Sequence, residues 1–168
     1  MSRVIRLLDA QRDLAAVKAL YARSSDYWAL ATRGAPDPAL AAAFFTLCPP
    51  GCDPGETQRL GLFQGSDLVG VAELSFGFPA PGDGYLGLQI LIPEARGKGL
   101  GRIFLREIEA RARAAGAARL YLGVLEENPR GRAFWRREGF RETGVSRFDA
   151  ETGHVLHRLV KDLDRGAG

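Results

Sequence analysis

Apolar positions change their period along the chain, and each change marks an element. Residues 3 to 8, R-V-I-R-L-L, form a short apolar run that predicts a first strand. Leu14, Val17 and Tyr21 then recur at helical spacing on a segment that Asp9 or Asp13 can cap, which predicts a first helix. Between residues 26 and 36, Tyr27, Trp28, Gly34 and Pro36 follow no clear period. Asp37-Pro38 supplies an N-cap and a proline at the first helical position, so a second helix is predicted from about Pro38 to Leu47, with Leu40, Phe44 and Leu47 on one side. The loop C-P-P-G-C-D-P-G-E-T ends it.

Next, R-L-G-L-F-Q and L-V-G-V-A-E-L flank a G-S-D turn and predict a β-hairpin. Residues 85 to 92, Y-L-G-L-Q-I-L-I, are apolar almost throughout, which predicts a strand buried on both faces at the centre of a sheet. Phe104, Ile108, Ala112 and Ala115 place one apolar face on a helix from Gly101 to Ala115, and Gly116 stops it. R-L-Y-L-G-V-L reads as a further buried strand, and Asn128-Pro129 opens a short Arg-rich helix that stops at Gly139. Phe140 to Phe148 and His154 to Val160 form a last hairpin around D-A-E-T-G. The expected fold is a mixed α/β domain in the order β-α-α-β-β-β-α-β-α-β-β, one unit over residues 1–168 with no linker or repeat.

Composition changes this picture little. A chain of 168 residues, 46% of them hydrophobic, suits a single core. No apolar run approaches the ~20 residues that cross a bilayer, and the first residues turn polar too early for a signal peptide, so a cytoplasmic protein with no membrane partner is expected. Cys48 and Cys52 build no disulfide framework, and a metal site would have to recruit His154 and His157 from the far end of the chain; none is expected.

Charge is more informative once it is divided along the chain. The net charge is +3, yet residues 96 to 147 hold 13 of the 23 basic residues and only 6 of the 20 acidic ones. That half suits an anionic ligand or nucleic acid; a solvated basic face is the plainer explanation.

The chemistry concentrates in Y-L-G-L-Q-I-L-I-P-E-A-R-G-K-G-L-G-R, residues 85 to 102. A strand runs into a turn with Gly97, Gly99 and Gly101 at alternate positions, and the turn runs straight into a helix. Glycines let backbone amides approach a ligand, and a helix start adds about half a positive charge, so the turn is an anion site with Arg96, Lys98 and Arg102 at its rim. A P-loop needs Lys followed by Ser or Thr, and a dinucleotide turn needs a third glycine where Arg102 or Phe104 stands. Both fail on the residues.

The letters R-x-x-G-x-G at Arg96, Gly99 and Gly101, following Leu91-Ile92-Pro93, resemble the GNAT acyltransferase superfamily, which reads [QR]-x-x-G-x-[GA] between its fourth strand and third helix. N-P-R-G-R-A-F-W-R-R-E-G-F, from Asn128 to Phe140, resembles a second family segment, although Ala133 and Trp135 are offset from the family spacing. The resemblance implies N-acetyl transfer from acetyl-CoA to a primary amine, with acetyl-CoA as co-substrate and no metal. It implies that pyrophosphate lies on the amides of Gly97, Lys98, Gly99, Leu100 and Gly101, with Arg96 leading in. Pantetheine would pair with the backbone at Gln89 and Leu91, the Gln89 amide would polarise the thioester carbonyl, and Asn128 and Phe134 would line the other side.

Around this core, Tyr85, Glu73 and Glu126 are candidates for the base or for positioning the acceptor, each weighed against a plain surface role. Tyr27, Trp28, Phe44 and Phe45 could wall an acceptor pocket or pack a core. His154 and His157 read as solvent-facing or core, and Arg130, Arg132, Arg136 and Arg137 as a solvated helix face close to the phosphates. Trp135 stands where many family members carry a Tyr. The expected partner is a small-molecule or peptide amine, with a homodimer left open. The rivals are a silent acyl-CoA-binding module and, more weakly, a basic nucleic-acid-binding domain.

Overall fold

A computed structural model describes residues 2–34 and 37–163. Seven strands form one mixed sheet in the order β1-β2-β3-β4-β5-β7-β6. They are β1 (Arg3–Leu7), β2 (Gln58–Gln64), β3 (Asp67–Phe76), β4 (Asp83–Leu91), β5 (Arg119–Leu125), β6 (Arg141–Phe148) and β7 (Val155–Asp162). Among the described residues only β4 and β5 run parallel. The helices are α1 (Leu14–Arg23), α2 (Ser25–Thr32), α3 (Pro38–Ala43), α4 (Leu100–Ala114) and α5 (Pro129–Arg137).

The amphipathic pattern read between Gly101 and Ala115 is realised in α4, whose Phe104, Leu105, Ile108 and Ala112 are fully buried. Gly70 of β3 makes room for this packing, because a Cβ there would stand 2.6 Å from Leu91 and 3.3 Å from Phe104. On the opposite face α1 packs against β3, and Val17, Leu20 and Tyr21 are buried there. Asp13 precedes α1 without capping it; its carboxylate accepts instead from Arg6 and from the Asp9 amide.

Two expectations need correction. Residues 25–32, which show no clear period, form α2, so three helices and not two separate β1 from β2. The polar S-S-D cluster is a corner between helices: Ser24 is fully buried and its amide closes the last turn of α1 on Leu20 O and Tyr21 O. The strand buried on both faces is also not β4. That role belongs to β2 and β3, while β4 has an exposed Gly87 followed by half-buried Leu88 and Gln89.

That exposure has a structural origin. β4 pairs with β5 only from Asp83↔Arg119 to Leu86↔Leu122, after which the strands separate. At the same point the register between β3 and β4 shifts, with Glu73 opposite Leu88 and Leu74 opposite Leu86, so Gly87 is the extra residue of a β-bulge. A wedge-shaped gap therefore opens at the middle of the sheet.

Candidate active site

The gap presents backbone groups of a defined kind. Hydrogen-bonded pairs alternate along an antiparallel ladder. Because Ile92 N–H donates to Val69 O at 3.0 Å, the alternation turns the N–H groups of Gln89 and Leu91 away from β3, toward the side that β5 has left. The Gln89 side chain is fixed from α4, its Nε2 donating to Gly101 O at 3.1 Å, while its Oε1 is buried without a partner. A Cβ on Gly101 would lie 3.5 Å from the Phe134 ring and 3.7 Å from Leu91. Gln89, Leu91, Gly101 and Phe134 thus meet on one side of the gap.

Below them the turn from β4 to α4 has Gly97 at φ 75° and Gly99 at φ 80°, the left-handed region that favours glycine. Both are exposed, and a Cβ at either would meet nothing within 4 Å, so an incoming ligand can touch the backbone itself. Lys98 is exposed beside them, whereas the Leu100 side chain enters the core. These features fit the diphosphate of a nucleotide cofactor: open amides, a helix start and a nearby cation.

Arg96 behaves differently from a rim cation. Its Nε donates to Leu91 O at 3.0 Å and its Nη1 to Asp26 at 2.5 Å, so it ties the turn to α2 and β4. The same pair holds the Asp26 carboxyl below its ordinary range. Asn128 caps α5, its Oδ1 accepting from Gly131 N at 3.0 Å.

The other face of the gap carries the titratable groups. Gly87 lies against both Glu73 and Tyr85: a Cβ there would be 3.9 Å from Glu73 Oε2 and 4.0 Å from Tyr85 Cδ1. Arg59, opposite Glu73 on β2, donates to Glu73 Oε1 and to Phe44 O. Burial pushes the Glu73 carboxyl up to about 7, against the pull of the Arg59 charge. Tyr27 borders the same carboxylate, and burial aided by the Glu73 charge pushes its phenol up to about 12. Burial also raises the Tyr85 phenol, with Arg158 and then Arg147 opposing the shift.

Of the remaining candidates, Tyr27 and Trp28 pack edge to face at 5.1 Å on α2, and Phe44 is core. Glu126 is exposed and paired with His157 at 3.2 Å. His154 is buried, its Nε2 donating to Leu30 O at 2.7 Å while its Nδ1 faces Arg33 Nη2 at 3.4 Å. Arg33 also reaches Thr152 O and Glu127, so α2, the β6–β7 turn and the segment after β5 are bound together. Cys48 and Cys52 are free thiols. Sequence reading missed Arg59, Gly87 and Gly123; for the two glycines the signal was present, because glycine inside a strand marks a bulge or a close approach.

Comparison with known proteins agrees with this geometry. The acetyltransferase (GNAT) family matches residues 17–140. An acetyltransferase from Thermus thermophilus is 26% identical with a TM-score of 0.76, covering 97% of this chain and 98% of its own. The ribosomal-protein-S18-alanine N-acetyltransferase from Escherichia coli shares the fold at 18% identity and a TM-score of 0.72, over 99% of this chain and 97% of its own. So does the PaiA N-acetyltransferase from Thermoplasma acidophilum, solved in complex with coenzyme A, at 22% identity and a TM-score of 0.69 over 96% and 99%. No curated protein sequence matches. The family match runs from α1 through the diverging strands to the end of α5, and so takes in every feature of the gap: the chain belongs to the acetyltransferase (GNAT) family.

Proposed function

We propose that the protein transfers an acetyl group from acetyl-CoA to a primary amine by direct attack. The observation that carries this reading is the gap between β4 and β5, which leads from the glycine turn on one face to Glu73 and Tyr85 on the other. Acetyl-CoA supplies an acyl group already activated as a thioester. The amides from Gly97 to Gly101 hold its diphosphate, and Gln89 and Leu91 N–H pair with its extended arm. As charge builds on the carbonyl oxygen, the Gln89 amide stabilises it from a fixed position.

Glu73 acts on the acceptor side. With its proton affinity set near neutrality it accepts a proton from the ammonium, directly or through one water, and releases the nitrogen lone pair. The nitrogen–carbon bond then forms, the carbon–sulfur bond breaks, and the thiolate leaves with the electron pair. Such a thiol has a proton affinity close to that of free cysteine, about 8.5, so departure needs no strong acid. Tyr85 stands against the reacting centre as a positioning group.

The test is release of free CoA from acetyl-CoA over a panel of primary amines, with calorimetry of CoA binding alongside. Amine-dependent thiol release is expected. Tight CoA binding with no release for any amine would leave a binding module in place of an enzyme.

A further inference from the structure

Beside the gap, on the Glu73 face, the sheet borders a cavity of about 210 Å³. Tyr85 and Gly123 form its inner end, where a Cβ on Gly123 would stand 3.2 Å from the Tyr85 hydroxyl. Phe78, Pro50 and Leu156 supply apolar wall. The volume is below the roughly 300–1,000 Å³ of pockets for drug-sized ligands, so a small occupant is indicated.

Two cations line the same cavity. Arg158 sits opposite Gly123 in the β5–β7 ladder, its guanidinium 5.1 Å from the Phe78 ring centroid. Arg147 stands opposite Leu156 on β6. Neither makes an ion pair among the described residues, whereas Arg6, Arg59, Arg96, Arg106 and Arg132 are each paired with a carboxylate. Of the other titratable groups nearby, His157 pairs with Glu126, and Asp149 accepts from Glu151 N and Thr152 Oγ1 within its own turn, bonds that act on its carboxyl more strongly than the Arg147 charge does. The cavity therefore has excess positive charge at its outer wall, and Glu73 lies past Tyr85 at its inner end.

We propose that the acceptor is a small amine that also carries a carboxylate, bound with its carboxylate on Arg158 and Arg147 and its amine directed past Tyr85 toward Glu73. This rests on the acetyl-transfer reading above and names its substrate class. A diamine or polyamine would place a second positive charge against the two arginines, and an uncharged tail would leave them unmatched. A carboxylate gives each a charge-assisted partner.

The test compares amines that differ only in the carboxylate: γ-aminobutyrate against n-butylamine, and β-alanine against n-propylamine. The readout is kcat/KM for CoA release. The acidic amine of each pair should be preferred by at least about tenfold, and in Arg147→Ala/Arg158→Ala that preference should collapse, with Arg→Lys at both positions restoring part of it. Binding of γ-aminobutyrate to the CoA complex, measured by calorimetry, should weaken in the same variant. Equal or reversed preference in the unaltered protein overturns the proposal while leaving acetyl transfer standing. A loss of CoA affinity in the double variant, with the preference intact, assigns the arginines to the cofactor and overturns it as well. If no amine is turned over, acetyl transfer falls, and γ-aminobutyrate binding that is unaffected by the arginine changes removes the acceptor site with it.

Discussion

Arg59 and Glu73 face each other directly across the β2–β3 ladder, and the guanidinium donates to the carboxylate while its Nη2 is buried without a partner. The pair opposes two effects. Arg59 favours the carboxylate; burial disfavours it and prevails, so the carboxyl titrates at about 7.

The first prediction follows from that value. Glu73 must be ionised to accept a proton, so kcat/KM should rise with pH through about 7, and Glu73→Gln should lose this limb together with roughly 100-fold or more of the rate. Stability should move the other way. A carboxyl raised above its unfolded value contributes stability that is complete below about 4.5 and is lost as pH climbs to about 7. Urea unfolding across that window should show the decline in the native protein and a smaller one in Glu73→Gln. A rate profile identical in both proteins would remove Glu73 from proton transfer.

A second prediction concerns the turn. Gly99→Glu places a carboxylate where open amides await an anion, at a residue with φ 80° and free space for a side chain. A non-glycine residue in this conformation costs roughly 1–2 kcal/mol, so the variant should still fold. CoA affinity should fall by at least about tenfold in calorimetry, and unchanged affinity in the folded variant would place the cofactor elsewhere.

His154 carries the third. Its buried ring donates from Nε2 to Leu30 O at 2.7 Å. His154→Leu removes the ring's bond to that part-buried carbonyl, at a cost of about 1–3 kcal/mol. Denaturant unfolding should show a loss in this range; a change under ~0.5 kcal/mol would mean that α2 is held without it.

Trp135 supplies the fourth. Its ring packs against Phe134 at 4.8 Å and Phe140 at 5.4 Å, and an indole N–H is no ordinary acid. Trp135→Phe should keep kcat within about tenfold, below ~1.4 kcal/mol on the barrier. A thousandfold loss in a folded, CoA-binding variant would place this position in the chemical step.

Much of this site was legible along the chain because it is built from local signals. Glycines at positions 97, 99 and 101 between an apolar run and an amphipathic helix specify turn geometry without any distant residue. What could not be read depends on contacts across long separations. Asp26 and Arg96 lie 70 residues apart, and nothing in either neighbourhood announces their ion pair. That Arg147 and Arg158 make no ion pair among the described residues is likewise a property of the folded surface, since twenty arginines look alike in sequence. α2 escaped because its one buried side chain, Trp28, sets no period.

The short β4–β5 pairing has a mechanical consequence. Within the sheet, four residue pairs join the block β1–β4 to the block β5-β7-β6, so the wedge opens from a pivot at Leu86 and Leu122. A molecule that bonds to both arms stiffens the pivot, and amide exchange should slow on the two arms together when one is added. Ligand concentration thereby becomes a variable of heat resistance: at roughly 100 times Kd the folded state gains about 2.7 kcal/mol.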